Sequence, residues 1–546
     1  MKKYRLKKWG LPFALLAMMV LLISGCQSVA GFDINKALVQ SMDPVSGESK
    51  QILSFELVPA EGQIQPEAQE LIDIVNSLSL TIDSAKVLDP STMSIKGAVQ
   101  FREDKFPFHM AMDGRGIAFH VEGAKQPLYI STETAGLTGM DLTGVAENQE
   151  LIQGFTKQAA EFFLKHLSNP KTLSVKQTTG KVFEESLNLT QLHTEIRGDE
   201  LLSMLKPFLT SVAKDEQGLK TLIGAFYDVY YPIMQAAYSY DDYEDYDYED
   251  YDYEDYDYED YDYSQEDYLD EAAWDDSSAF GFDLNTVVQS KPVMVATLTA
   301  TVQEAINTLL TDYDENMKKL LEDSPELSVI FGKDTVLKLD VYFDSKLQMR
   351  KQQLALTIAL PGNEDLPLKA VTIKSDSELR NAGGQVTIDS VDLTSGVFDI
   401  TDGALTPGKT LRNFDPDSAI YKLLKNDLEL TRKSAYIDPD NSYYGVVVKK
   451  NTSFVPLRYL SEQLDAEVKW DSGSSSIVII DDLTGQEIKV TSGSKHASIG
   501  GKAVVLPQPV FVNEYGVTYV PLRFMAEALG ATVTVEPDGW IFVERP

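Results

Sequence analysis

Apolar residues along this chain follow two different periods, and the two occur in separate stretches. Period-two alternation marks Ile52–Val58, then Met93, Ile95, Gly97, Val99 and Phe101, then Leu192, Thr194 and Ile196. It predicts strands with one buried face. Helical spacing links Leu151, Ile152, Phe155, Ala159, Phe162 and Phe163. Asp199 is placed to N-cap a helix carrying Leu201, Leu202, Leu205, Phe208 and Leu209, and a further helical stretch covers Leu219–Tyr230. Beyond a polar interruption, Val302, Ile306, Leu309, Leu310, Tyr313, Met317 and Leu320 line one helical face. Leu337, Leu339, Val341 and Phe343 alternate, as do Leu354, Leu356, Ile358 and Leu360, which predicts an antiparallel pair with one solvated face. Segregated helix and strand runs give an α+β class: a mixed sheet-and-helix body.

The interruption is an acidic tract. Asp241 to Asp276 holds 20 acidic residues and no Lys or Arg, built on Tyr-Glu-Asp-Tyr-Asp repeats that start at Tyr243, Tyr248, Tyr253 and Tyr258. Period five fits neither helix nor strand, and its like charges oppose compaction, so the expectation is a disordered loop. The plain reading is a solvated spacer. The sharper one is loose binding of Ca²⁺, with Asp245, Asp250, Asp255 and Asp260 among the oxygen ligands. The whole chain of 546 residues carries a net charge of −36, which repels phosphate backbones and rules against nucleic-acid binding. Phe32-Asp33-Ile34-Asn35 is echoed by Phe282-Asp283-Leu284-Asn285. The regions on either side of the tract are therefore either two related lobes or one domain with an insertion.

The first residues read as an address. Lys2, Lys3, Arg5, Lys7 and Lys8 precede an apolar run from Leu11 to Ile23, the layout of a secretory signal and short for a bilayer span. Ile23-Ser24-Gly25-Cys26 resembles the lipobox of bacterial lipoproteins. That resemblance implies cleavage before Cys26, a diacylglycerol on its sulfur, and residence on the extracytoplasmic face of the cell membrane. Cys26 is the only cysteine. Once lipidated, it leaves no thiol for catalysis, metal binding or a disulfide.

The end of the chain is internally repeated. Val455-Pro456-Leu457-Arg458 with Glu462 and Leu464 returns 65 residues later as Val520-Pro521-Leu522-Arg523 with Glu527 and Leu529. Each copy reads as a strand, a proline in the first helical turn, a short helix and a second strand. Leu457, Leu460 and Leu464, or Leu522, Met525 and Leu529, would face the core. Gly530 ends the second helix, and Asp465 takes its place in the first. Arg458/Glu462 and Arg523/Glu527 are spaced to pair and brace the junctions structurally. About residues 430–546, including the turn Ile499-Gly500-Gly501-Lys502, resemble the copper amine oxidase N-terminal domain-like family, or stalk domain. The resemblance implies a small α/β two-repeat module found in exported proteins of Gram-positive bacteria. It implies neither copper nor a quinone cofactor, which belong to a separate oxidase domain. The expected division is a signal peptide 1–25, a lipidated tether 26–31, a body 32–236, the tract 237–280, a second body part 281–394, a linker 395–429 and the module 430–546.

Motifs for catalysis are scarce. The sequence holds no phosphate loop, no H-E-x-x-H and no G-x-S-x-G. Its histidines are His109, His120, His166, His193 and His496. His109 and His120 fit neighbouring strands, where a pair is more often structural than metal-binding. The leading expectation is a non-enzymatic, lipid-anchored surface protein whose partners are the membrane and a cell-wall or envelope component. Its alternatives are a carrier holding an apolar ligand in the body, marked by a large apolar cavity, and an envelope hydrolase.

Overall fold

Strand Glu185–Arg197 shows how the sheet is held: Leu192, Thr194 and Ile196 are buried on one face while Gln191, His193 and Glu195 line the other. Its neighbour Val336–Phe343 does the same with Leu337, Leu339, Val341 and Phe343, all at most 3% exposed. The computed structural model describes residues 29–62, 64–131, 149–238, 291–363, 367–400, 405–438, 445–471, 476–537 and 539–546. Cys26, the acidic tract with Asp245, Asp250, Asp255 and Asp260, and the Phe282 echo lie outside them. Helices and strands are both plentiful, as the α+β expectation requires. The described residues fall in two compact units, one within Met1–Asn76 and Leu142–Val386, the other within Ser77–Asp141 and Thr387–Pro546.

In the first unit an antiparallel sheet runs in the order Gly47–Pro59, Leu368–Arg380, Met349–Ala359, Val336–Phe343, Glu185–Arg197, Ser174–Val182. Helices Gln149–His166, Gly198–Lys214, Glu216–Tyr238 and Lys291–Leu310 supply the other half of its core. Phe162, Leu201, Phe208, Val212, Leu219 and Ile306 pack with the buried strand residues. The opposite face carries a ladder of polar groups: His193 bonds Asp340 (2.9 Å), Tyr342 donates to Gln353 (3.2 Å), and Gln353 donates to Asp376 (2.6 Å). The antiparallel pair with a solvated face is therefore present.

Two details depart from the expected pattern. Asp199 is not an N-cap. The helix starts at Gly198, directly off the strand, with Arg197 at the cap and no side-chain cap bond. The reason is steric: a Cβ on Gly198 would lie 2.6 Å from the Gly332 carbonyl, so the glycine lets strand turn straight into helix. The face from Val302 to Leu320 is not one helix either. Asp312 sits in the left-handed region at φ 54 and splits Lys291–Leu310 from Tyr313–Asp323, leaving Leu309 59% exposed.

The second unit has a meander, Ser79–Asp89, Thr92–Phe101, Asp104–Asp113, Gly116–Val121 and Leu128–Ser131, each strand antiparallel to the next, with Phe398–Asp399 parallel to the last. This meander, expected in the body with 32–236, groups instead with the C-terminal residues. Residues 405–429, expected as a linker, are folded. Thr406 caps helix Pro407–Arg412, a short helix Ala419–Lys422 runs into a π turn at Leu423–Asp427, and Leu411 is fully buried. Gly408 and Pro407 read as linker punctuation because their local chemistry suits a turn. Pro407 instead opens the helix, and Gly408 allows close packing: a Cβ there would meet the Leu483 N at 2.9 Å.

Candidate functional site

The repeated segments pair with each other. Strands Thr452–Pro456 and Thr518–Pro521 run antiparallel with Val455 opposite Val520, Phe454 opposite Pro521 and Pro456 opposite Tyr519. Because equivalent positions face each other, the two copies are related by a local twofold axis through the Val455/Val520 pair. Helices Leu457–Gln463 and Leu522–Ala528 follow, and Leu457, Leu460, Leu464, Leu522, Met525 and Leu529 are all at most 3% exposed. One core spans both copies, so neither buries its apolar face alone.

The junction chemistry differs from expectation in two respects. Pro456 and Pro521 sit at the N-cap, not in the first helical turn, with ψ 122 and 119. Both are still paired as strand residues, and the extended ψ follows from that pairing. Arg458 pairs with Glu462 at 3.2 Å, both exposed. Arg523 and Glu527 are also exposed, and no ion pair joins them in the structure. Asp465 and Gly530 do share a role: both adopt positive φ, 55 and 75, just past their helices. Ile499 pairs with Lys502 across Gly500 and Gly501, both at positive φ, as a two-residue hairpin demands.

Beside the first junction lies a groove of about 360 Å³ lined by Pro456, Leu457, Arg458, Val468, Lys469, Trp470, Ile477 and Gly516–Thr518. Trp470 is 63% exposed on strand Ala466–Asp471, an edge of its sheet. Behind the junction is a buried polar network that the sequence did not announce. Arg545 donates to Asp481 (2.7 Å) and to the Leu464 carbonyl (2.6 Å), with Arg545 and Asp481 side chains only 4% and 3% exposed. Asp482 accepts from Thr406 (2.8 Å), and its backbone N–H donates to the Asp465 carbonyl (3.0 Å). Burial pushes the Asp482 carboxyl above its ordinary pKa, and the Asp465 charge adds to that rise.

Residues 440–542 match the family model of the copper amine oxidase N-terminal domain. This domain family is an accessory, non-catalytic one. No curated protein is significantly similar to the chain. Within the copper amine oxidase N-terminal domain the one histidine is His496, which is exposed. Among the described residues, no three His, Cys, Asp or Glu side chains are grouped to hold a metal ion.

Outside that domain the histidines take separate places. His109 and His120 are direct cross-strand partners. They do not converge on a common point: His120 Nε2 lies 3.3 Å from the Ala124 carbonyl, while His109 Nε2 is buried without a hydrogen-bond partner among the described residues. Burial, aided by Lys96, lowers the His109 pKa and favours the neutral ring. Nearby, Asp389 bridges Lys86 and Lys96 at 2.9 Å each, and these lysines hold its carboxyl below the usual range.

In the first unit His166 has Ser211 Oγ at 2.8 Å from Nδ1 and Asp215 Oδ2 at 2.9 Å from Nε2. The residue types are those of a hydrolase triad, but the ring is reversed, since in a triad Nε2 serves the serine. Asp215 also accepts from Gly218 N at the start of helix Glu216–Tyr238, and from Lys165 (2.6 Å), which leads the lowering of its pKa. The cluster ties three helix ends together. His166 could have been flagged from sequence only by its place in the last turn of an amphipathic helix, since Ser211 and Asp215 lie 45 and 49 residues away.

Proposed function

We propose that this chain is a lipid-anchored, extracytoplasmic, non-enzymatic surface protein whose copper amine oxidase N-terminal domain makes its external contact. Cys26 carries the diacylglycerol in this reading, and two acyl chains give a stable hold on the membrane. The acidic tract is a solvated spacer that binds Ca²⁺ weakly, and no copper or quinone takes part. One observation carries the binder over the carrier. The body's core is filled by Ile34, Leu192, Ile196, Leu337 and Phe343 at 0% exposure, while the accessory domain offers an open groove beside a bare tryptophan. The larger cleft in the first unit, about 570 Å³, lies between helices, is open to solvent, and is lined by small apolar residues such as Ala225, Val295 and Ala296 together with Lys291 and Asp228, which pair at 2.6 Å across it.

The test is co-sedimentation of the purified chain from residue 27 onward with isolated cell-envelope material freed of protein and of lipid. The expected result is salt-resistant co-sedimentation. A chain that stays in the supernatant at all salt concentrations, and instead co-purifies with a stoichiometric lipid by native mass spectrometry, would establish the carrier.

A further inference from the structure

The two copies of the repeat act as an internal control on the groove. Register equates Ala466, Val468 and Trp470 with Ala531, Val533 and Val535. Trp470 faces Ile477 across its hairpin, and Val535 faces Ile541 across its own. The second copy thus builds the same strand, helix and hairpin with a valine at this place. A tryptophan is not needed there for the fold, yet the first copy carries one and leaves it 63% exposed. Tyr515, 81% exposed, directly precedes Gly516, which lines the same groove. The turn that carries Tyr515 is tied by its own side chain: Asn513 Oδ1 accepts from the Tyr515 and Val517 backbone N–H groups at 3.0 and 2.8 Å.

The groove's charges are already paired. Arg458 is neutralised by Glu462 at 3.2 Å and Lys469 by Glu467 at 2.9 Å. The walls therefore offer donors and acceptors in balanced pairs, with no net attraction for a polyanion. A bare indole face in a groove with such paired charges matches one ligand chemistry. A sugar ring has an apolar C–H face that stacks on an indole or phenol, and hydroxyls round its edge that bond charged side chains. A protein partner would instead favour a fully desolvated anchor pocket, and nucleic acid is excluded by the net charge of −36.

We infer that the groove at Trp470 binds an uncharged polysaccharide, of hexose or N-acetylhexosamine units, with Trp470 as the stacking platform. This inference rests on the proposed surface-binding role and names the class of ligand for it. The size agrees, since about 360 Å³ falls in the range of small-ligand clefts and would seat a short stretch of a longer chain.

The experiment uses the soluble chain from residue 27 onward with N-acetylglucosamine tetramer and cellotetraose as probes, read by calorimetry and tryptophan fluorescence. Variants are Trp470→Val, which copies the second repeat, and Trp470→Tyr, which keeps a stacking face. The expected result is binding of at least one probe, weakened more than about tenfold in Trp470→Val and held within a few fold in Trp470→Tyr, with unchanged melting temperature in both. Binding of neither probe, or binding indifferent to Trp470→Val, overturns the inference. A concentration-dependent dimer seen by ultracentrifugation and lost in Trp470→Val would assign the edge strand to self-association and also overturn it. Envelope co-sedimentation that survives Trp470→Val would sink the glycan assignment alone, whereas loss of co-sedimentation by the wild type would sink the surface-binding role itself.

Discussion

Replacing Arg545 with alanine should rank with the loss of a core leucine among the damaging single changes in the C-terminal domain. The guanidinium spans Asp481 at 2.7 Å and the Leu464 carbonyl at 2.6 Å, with both charged side chains almost wholly out of solvent. Removing one partner of a buried pair strands the other charge, which costs about 3–5 kcal/mol. Asp481 would keep the Leu483 N–H at 3.1 Å and the Thr484 hydroxyl, so the lower end of that range applies, about 3 kcal/mol. For a domain of about 100 residues, each kcal/mol moves the melting temperature by about 4–8 °C, so a fall beyond about 10 °C is expected. Urea and thermal unfolding of the soluble chain, followed through Trp470 and Trp540, would measure it. Arg458→Ala is the control, since its exposed pair should contribute only about 0.3–0.5 kcal/mol. An Arg545→Ala loss no larger than the control's would refute the claim that this network holds the domain closed.

Leu522→Ala should cost about 2–5 kcal/mol by the same assay, and Arg523→Ala almost nothing, because Leu522 is 3% exposed and Arg523 is exposed with no ion pair among the described residues; the reverse order would place Arg523 in the core. Asp482 holds its proton more tightly folded than unfolded, so its contribution is full below the ordinary carboxylate pKa and is lost as pH rises through the raised value. Asp482→Asn should therefore flatten the pH dependence of domain stability in that window and raise stability near neutrality; a slope left unchanged would show that Asp482 is ionised throughout. Asp389 works the other way: its lowered pKa gives stability above the ordinary carboxylate value that is lost in acid, and Asp389→Asn should remove that acid-side loss. Gly97→Ala should destabilise the meander by about 1–3 kcal/mol, since a Cβ there would fall 2.2 Å from the Thr81 carbonyl; a neutral effect on its hydrogen-exchange protection would show that the strands can part at little cost.

Periodicity carried what depends on one residue's own neighbours. Leu337 to Phe343 read as a strand because every second side chain is apolar, and the doubled Val-Pro-Leu-Arg read as two strand–helix junctions because the local chemistry is complete at each. What failed was local chemistry overridden by tertiary packing. Asp199 has a capping side chain, but the Gly198 backbone is pressed against Gly332 and starts the helix first. Pro407 and Gly408 look like linker punctuation, yet Gly408 packs directly on Asp482, 74 residues away. The network of Arg545, Asp481 and Asp482 was invisible because a buried acid and a surface acid look alike in a chain with 84 of them. The Trp470 groove was hidden for a different reason. The 65-residue offset already equates Trp470 with Val535, but the groove's walls come from four separate stretches, around Pro456, Val468, Ile477 and Gly516, and no local pattern brings them together.

The central claim is the anchor on Cys26 that places the chain outside the cell. Its most direct test is metabolic labelling with a fatty-acid probe in an exporting bacterial host, comparing the wild-type chain with Cys26→Ser. The account predicts acylated wild-type protein in the membrane fraction, open to added protease on intact cells, and no label on the variant. Equal labelling of the Cys26→Ser chain, or an unlabelled wild type in the cytoplasmic fraction, would contradict it.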